Sequence, residues 1–77
     1  MYIFTLLEKD DVVSALVAFG SEGNGFRVAN YCGRTHTMRY GDAWYRESSA
    51  REEFEEVLAK TVERGWKIIY YGPPKFG

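Results

Sequence analysis

The stretch "SSAREEFEEVLAKTVERGWKIIYYG", residues 48–72, decides the fold. Ala50, Phe54, Val57, Leu58, Thr61 and Val62 recur at the three-and-four spacing that lines up one apolar stripe along a helix. Glu52, Glu55, Glu56, Lys60, Glu63 and Arg64 fall on the other side, toward water. Ser49 followed by Glu52 predicts a capping box, in which hydroxyl and carboxylate each satisfy an unpaired amide of the first turn. Gly65 stands where a left-handed residue closes a helix. Beyond it the period shortens: Trp66, Ile68 and Tyr70 alternate with Lys67, Ile69 and Tyr71, a strand that Gly72-Pro73-Pro74 brings to an end. Both sides of this strand carry apolar residues. One is expected to meet the helix and the other to be covered by a loop or a partner. The glutamates read first as a solvated face, favourably placed near the positive end of the helix dipole.

Working upstream, residues 2–7 and 12–19 are rich in β-branched, aromatic and leucine side chains, and the polar group Glu8-Lys9-Asp10-Asp11 between them predicts a turn. Val13, Ala15, Val17 and Phe19 share one face of the second strand. "GSEGNG", residues 20–25, supplies residues that tolerate positive φ and predicts a tight reversal into a third strand, residues 26–32. Gly33 breaks that strand. Residues 35–40 then alternate, with His36, Met38 and Tyr40 on one side and Thr37 and Arg39 on the other. This predicts a fourth strand that bends at Gly41-Asp42 and continues through residues 43–46. The expected fold is α+β: a twisted antiparallel sheet in the order β-β-β-β-α-β with one helix packed on one face, a single domain over residues 1–77.

A chain of 77 residues buries only about 60% of the surface its unfolded form exposes, so its core must be small. With 17% aromatic residues, a few large rings supply most of it. Ten Lys and Arg stand against eleven Asp and Glu, a net charge of −1, so no global field draws the molecule to a polyanion. The charges are segregated, however: between Arg27 and Arg46 only Asp42 opposes the arginines. One cysteine excludes an internal disulfide, and no charged segment precedes an apolar run near Met1. No apolar run reaches the roughly 18 residues of a membrane span. A soluble, cytoplasmic protein is the expectation.

Catalysis is poorly supplied. Cys32 and His36 are the one candidate nucleophile and base, separated by a glycine break and without an orienting group, so no enzyme is expected. One His and one Cys do not fill a zinc shell, and the glycines of residues 20–25 precede a strand instead of the helix a phosphate loop requires. No metal and no cofactor are expected. The stretch "NYCGRTHTMRYGDAWY", residues 30–45, is different. Here Arg34 and Arg39, with Arg46 just beyond, are interleaved with Tyr31, His36, Tyr40, Trp44 and Tyr45. Planar cations beside rings suit phosphate contact and base stacking. The same residue types dominate protein interface hot spots, and some rings must simply be core.

The chain also resembles the WGR domain, a small module of poly(ADP-ribose) polymerases and stand-alone bacterial proteins. "YIFTLLEKDD" is similar to its opening strand and acidic turn, "FRVANYCGR" to the approach and motif, and "SSAREEFEEVLAKTVERGW" to its helix with Lys60-Thr61 and closing Trp66. The motif reads Cys32-Gly33-Arg34 here, and residues 12–30 form a longer link than is usual. The resemblance therefore carries over Gly33 and Arg34, but not the ring that stacks on nucleic acid. The expected function is a non-catalytic module that binds nucleic acid, as the resemblance implies, with Gly33 and Arg34 carried over from the motif and Tyr31, His36, Arg39, Tyr40, Trp44 and Arg46 supplied by the residue types of the surrounding stretch. A protein partner held by the same patch, or by the acidic helix face, is the alternative.

Overall fold

The computed structural model describes residues 2–73. Five strands and one helix follow one another as β1 (Tyr2–Lys9), β2 (Val12–Ser21), β3 (Gly25–Cys32), β4 (Thr37–Tyr40), α1 (Glu47–Glu63) and β5 (Lys67–Gly72). The strands form one antiparallel sheet in the order β4-β3-β2-β1-β5. This is the α+β arrangement the sequence predicts. β5 crosses the sheet after the helix and pairs with β1, with a bulge opposite Leu6 and Leu7. Pro74 lies outside the described residues.

The turns follow from their residues. Lys9 pairs with Val12 across Asp10 and Asp11, which both take positive φ (52° and 66°), the left-handed pair that a two-residue hairpin needs. Gly20, at φ 145°, lies against β3, where a Cβ would meet the Gly25 carbonyl oxygen and the Phe26 Cα. After Tyr40 the expected continuation shrinks to one bridge, between Trp44 and Phe26.

The helix starts earlier than its sequence suggests. Its N-cap is Arg46, with no side-chain hydrogen bond at the cap, so the expected Ser49 and Glu52 capping box does not form and both residues lie inside the helix. The far end agrees with expectation: Gly65 takes φ 100° after the last turn. There the Lys9 ammonium donates to the Arg64 carbonyl oxygen at 2.6 Å, a cation at the negative end of the helix.

α1 buries Ala50, Phe54 and Leu58 against Leu7, Leu16, Ala18 and Val28, with Ile3, Val57 and Trp66 packed around them. Phe54 is fully enclosed, and burial of such a ring contributes roughly 1.5–3 kcal/mol. Because side chains alternate along a strand, one set of residues lies on the helix side: Ile3, Thr5 and Leu7 in β1, Ser14, Leu16 and Ala18 in β2, and Val28 in β3, followed on the same side by Asn30, which is exposed, and Cys32, which is half-buried. The set that the sequence groups on β2, Val13 to Phe19 at every second position, lies on the opposite face. Among the described elements none covers it.

Candidate interaction surface

The uncovered side of the sheet is built from the alternate residues of every strand. β1 contributes Tyr2, Phe4 and Leu6, and β2 contributes Val13, Ala15, Val17 and Phe19. Ala29 and Tyr31 follow from β3, Met38 and Tyr40 from β4, and Tyr70 from β5. Tyr2, Val13, Met38 and Tyr40 are exposed, Tyr40 to 61%. Phe4, Leu6, Ala15, Val17, Phe19, Tyr31 and Tyr70 are half-buried by their neighbours. Phe4 and Tyr70 lie with ring centroids 6.3 Å apart. Charge enters this face only toward its ends: Arg27 level with Phe19 and Tyr2, Glu8 level with Val13, and Lys67 beside Glu8. Ala29, within this face, is buried, and an apolar sheet face on which Tyr2, Val13, Met38 and Tyr40 stand exposed is the kind of surface that binds another molecule.

The residues expected to form one Arg and aromatic patch are divided. Tyr31 and Tyr40 belong to the open face. His36 joins them: it takes φ 57° in the β3–β4 turn, and its Nδ1 is hydrogen-bonded to the Tyr31 hydroxyl at 3.2 Å. Arg39 pairs with Asn30 across the edge strand, on the side of the sheet that carries the helix. Arg34 sits at the hairpin end, its guanidinium 3.8 Å from the Asp10 carboxylate with both side chains exposed, a contact worth little in water. Arg46 is the helix N-cap. Trp44 turns to the helix, where its indole N–H donates to Glu53 Oε2 at 2.5 Å. Tyr45, between them, is 97% exposed.

Gly33 has a packing role. A Cβ there would collide with the Val13 carbonyl oxygen, and the Gly33 amide donates to the Ser14 hydroxyl at 3.1 Å. This close approach ties the β3–β4 hairpin to the start of β2.

Cys32 is half-buried on the helix side, whereas His36 is held by Tyr31 toward the open side, so the two do not meet as nucleophile and base. The Cys32 thiol is nevertheless held down to about 7, first by the hydrogen bond from the Thr35 hydroxyl, then by the Thr35 and Arg34 amides. Among the described residues no group of three or more His, Cys, Asp or Glu gathers as metal ligands would. No described helix is long and apolar enough to cross a membrane.

The outer face of α1 is largely occupied by its own contacts. Glu47 pairs with Arg51 at 2.9 Å and Glu56 with Lys60 at 3.2 Å, each one helical turn apart. Glu53 accepts from Trp44, and Glu55 accepts from the Tyr71 hydroxyl at 2.7 Å. That carboxylate raises the Tyr71 phenol above its ordinary value. Tyr71 also stands edge-on to Phe54, with centroids 5.9 Å apart.

Sequence reasoning gathered the tyrosines of residues 30–45 but not Tyr2, Phe4, Phe19 and Tyr70, which complete the same face. The signal that finds them is parity: once the strand registers are known, every second residue belongs to one side. Compared with protein-family models, with characterised proteins and with solved structures, the chain matches none.

Proposed function

We propose that this protein is a non-catalytic interaction module that binds a protein partner through the open face of its sheet. The observation that carries this reading is the composition of that face, where aliphatic side chains and rings run across all five strands with charge only toward the ends. Burying such a surface is favourable by roughly 25 cal/mol per Å² of apolar area, and Tyr-rich patches are typical anchors of protein interfaces. The acidic helix face supports the reading less well, because Glu47, Glu53, Glu55 and Glu56 already have partners within the chain.

The nucleic-acid expectation, which the WGR resemblance favours, requires cations beside the rings. Arg34, Arg39 and Arg46 leave the ring-bearing face for the hairpin end, the helix side of the edge strand and the helix cap. Gly33, one of the residues carried over by the resemblance, has a sufficient cause in its approach to Val13. The protein-partner reading therefore takes precedence.

Capture from cell lysate with paired baits tests it. A polypeptide retained by the wild type and by Glu52→Lys, but lost with Val17→Lys, is the expected result. Parallel titration of labelled single-stranded and duplex DNA at two salt concentrations provides the opposing outcome. Binding that falls steeply with salt, needs Arg34 and Arg39, and survives Val17→Lys would replace this reading with the nucleic-acid one.

A further inference from the structure

We propose that the hollow on the helix side of the β3–β4 hairpin binds a small oxyanion, the phosphate or carboxylate group of a free small molecule. It lies on the other side of the sheet from the face assigned to a protein partner, and it stands independently of that reading.

Strand pairing builds the hollow. Cys32 stands opposite Thr37, and Asn30 opposite Arg39, so these four side chains form one cross-strand block on the same side of the hairpin. Thr35 joins them from the turn, its hydroxyl 2.6 Å from that of Thr37. α1 buries Val28 one step earlier in β3 but leaves Asn30, Thr35, Thr37 and Arg39 exposed and Cys32 half-buried. These five residues line a hollow of about 240 Å³ that is open to water and ample for an ion the size of phosphate.

The lining selects the charge of the ligand. Arg39 offers the planar fork that matches two oxygens of a phosphate or carboxylate, and the Asn30 amide can supply two further N–H donors. A second hollow of about 170 Å³ adjoins the first, sharing Asn30 and Cys32, and has Arg64 in its lining. Among the described residues no Asp or Glu lines either hollow. Neither Arg39 nor Arg64 has an ion pair there, whereas Arg34 and Arg51 do. Two uncompensated guanidinium groups on adjoining hollows free of carboxylates complement a negative charge. The negative end of α1, which would oppose it, is offset by the Lys9 ammonium on the Arg64 carbonyl oxygen. Contacts this open to water hold an anion only weakly, so millimolar affinity is expected.

Cys32 lines both hollows and therefore reports the local concentration of anions. The test compares its alkylation by iodoacetate, an anion, with that by neutral iodoacetamide, in the folded chain and in the chain unfolded by urea. Circular dichroism verifies that each variant folds. The folded wild type should favour iodoacetate about threefold more than the unfolded chain does, the size of effect that one charge several ångström away exerts in water. Arg39→Gln should remove most of that preference, and Arg64→Gln a smaller part. Inorganic phosphate and acetate, added in separate arms with chloride holding ionic strength constant, should protect Cys32 saturably at millimolar concentrations. Phosphate should also shift the amide resonances of Asn30, Thr35 and Thr37. The arm that saturates at lower concentration tells phosphate from carboxylate. A folded preference no greater than that of the unfolded chain, one that survives Arg39→Gln, or protection no greater than chloride alone provides would overturn the site. None of these outcomes touches the open face, so the lysate capture judges the protein-partner reading separately.

Discussion

Gly33 has no room for a side chain because the Val13 carbonyl oxygen occupies the place of its Cβ. The contact brings the end of β3 onto the start of β2 and is fixed by the Gly33 amide bond to Ser14. Gly33→Ala forces backbone against backbone and should destabilise the fold by about 1–3 kcal/mol. A denaturant titration checks this. An unchanged midpoint would mean that the glycine serves something other than packing.

Thr5 lies under the helix, opposite Leu16 in β2 and Tyr71 in β5, with its hydroxyl oxygen buried and without a hydrogen-bond partner. A polar group left in that position costs about 1–3 kcal/mol relative to an apolar one of the same shape. Thr5→Val should therefore stabilise the protein by about 1 kcal/mol, raising the melting temperature by about 4–8 °C in a domain of this size. A lower melting temperature would show that the hydroxyl finds a partner.

The raised acidity of the Cys32 thiol predicts its chemistry. Its thiolate fraction should rise through a midpoint of about 7, so alkylation by iodoacetamide should be half-maximal near neutral pH. Thr35→Val removes the largest cause of the shift and should move the midpoint upward. A profile identical to that of a free thiol in both proteins would remove the hydrogen-bonded thiolate from this account.

Tyr71 behaves in the opposite sense. Its phenol is raised because the neutral form donates to the Glu55 carboxylate and its ionised form would lie beside that charge. With the folded value above the unfolded one, the contribution to stability is complete below the ordinary tyrosine range and is lost as pH climbs through the folded value. Spectrophotometric titration should show a late-ionising tyrosine that disappears in Tyr71→Phe and shifts downward in Glu55→Gln.

Much of the fold was legible in the sequence because its signals are local. The stripe through Ala50, Phe54 and Leu58 and the glycine at residue 65 each report a signal that one segment carries by itself, whereas Val62 is exposed and the alternation expected after Trp66 is broken by the bulge, which sets Ile68 level with Leu7 on the helix side and Tyr70 level with Leu6 on the open side. The helix start was less legible, since nothing local distinguishes a capping Ser49 from one already inside the first turns. Which side of the sheet the helix covers was not legible at all. β2 is apolar on both faces, and Ser14, Leu16 and Ala18 under α1 are no more hydrophobic than Val13, Val17 and Phe19 on the open side. The candidate site dispersed for a related reason. A turn intervenes between Arg34 and Arg39, so counting alternate residues does not predict their faces, and the bend after Tyr40 does the same for Trp44 and Arg46.

The central claim is that the open face of the sheet binds a protein partner. The most direct measurement is paired capture from cell lysate with wild type, Glu52→Lys and Met38→Lys as baits, Met38 being an exposed residue of that face. The account predicts a polypeptide retained by the wild type and by Glu52→Lys and lost with Met38→Lys. A polypeptide lost with Glu52→Lys and retained by Met38→Lys, or salt-sensitive DNA binding that needs Arg34 and Arg39, would contradict it.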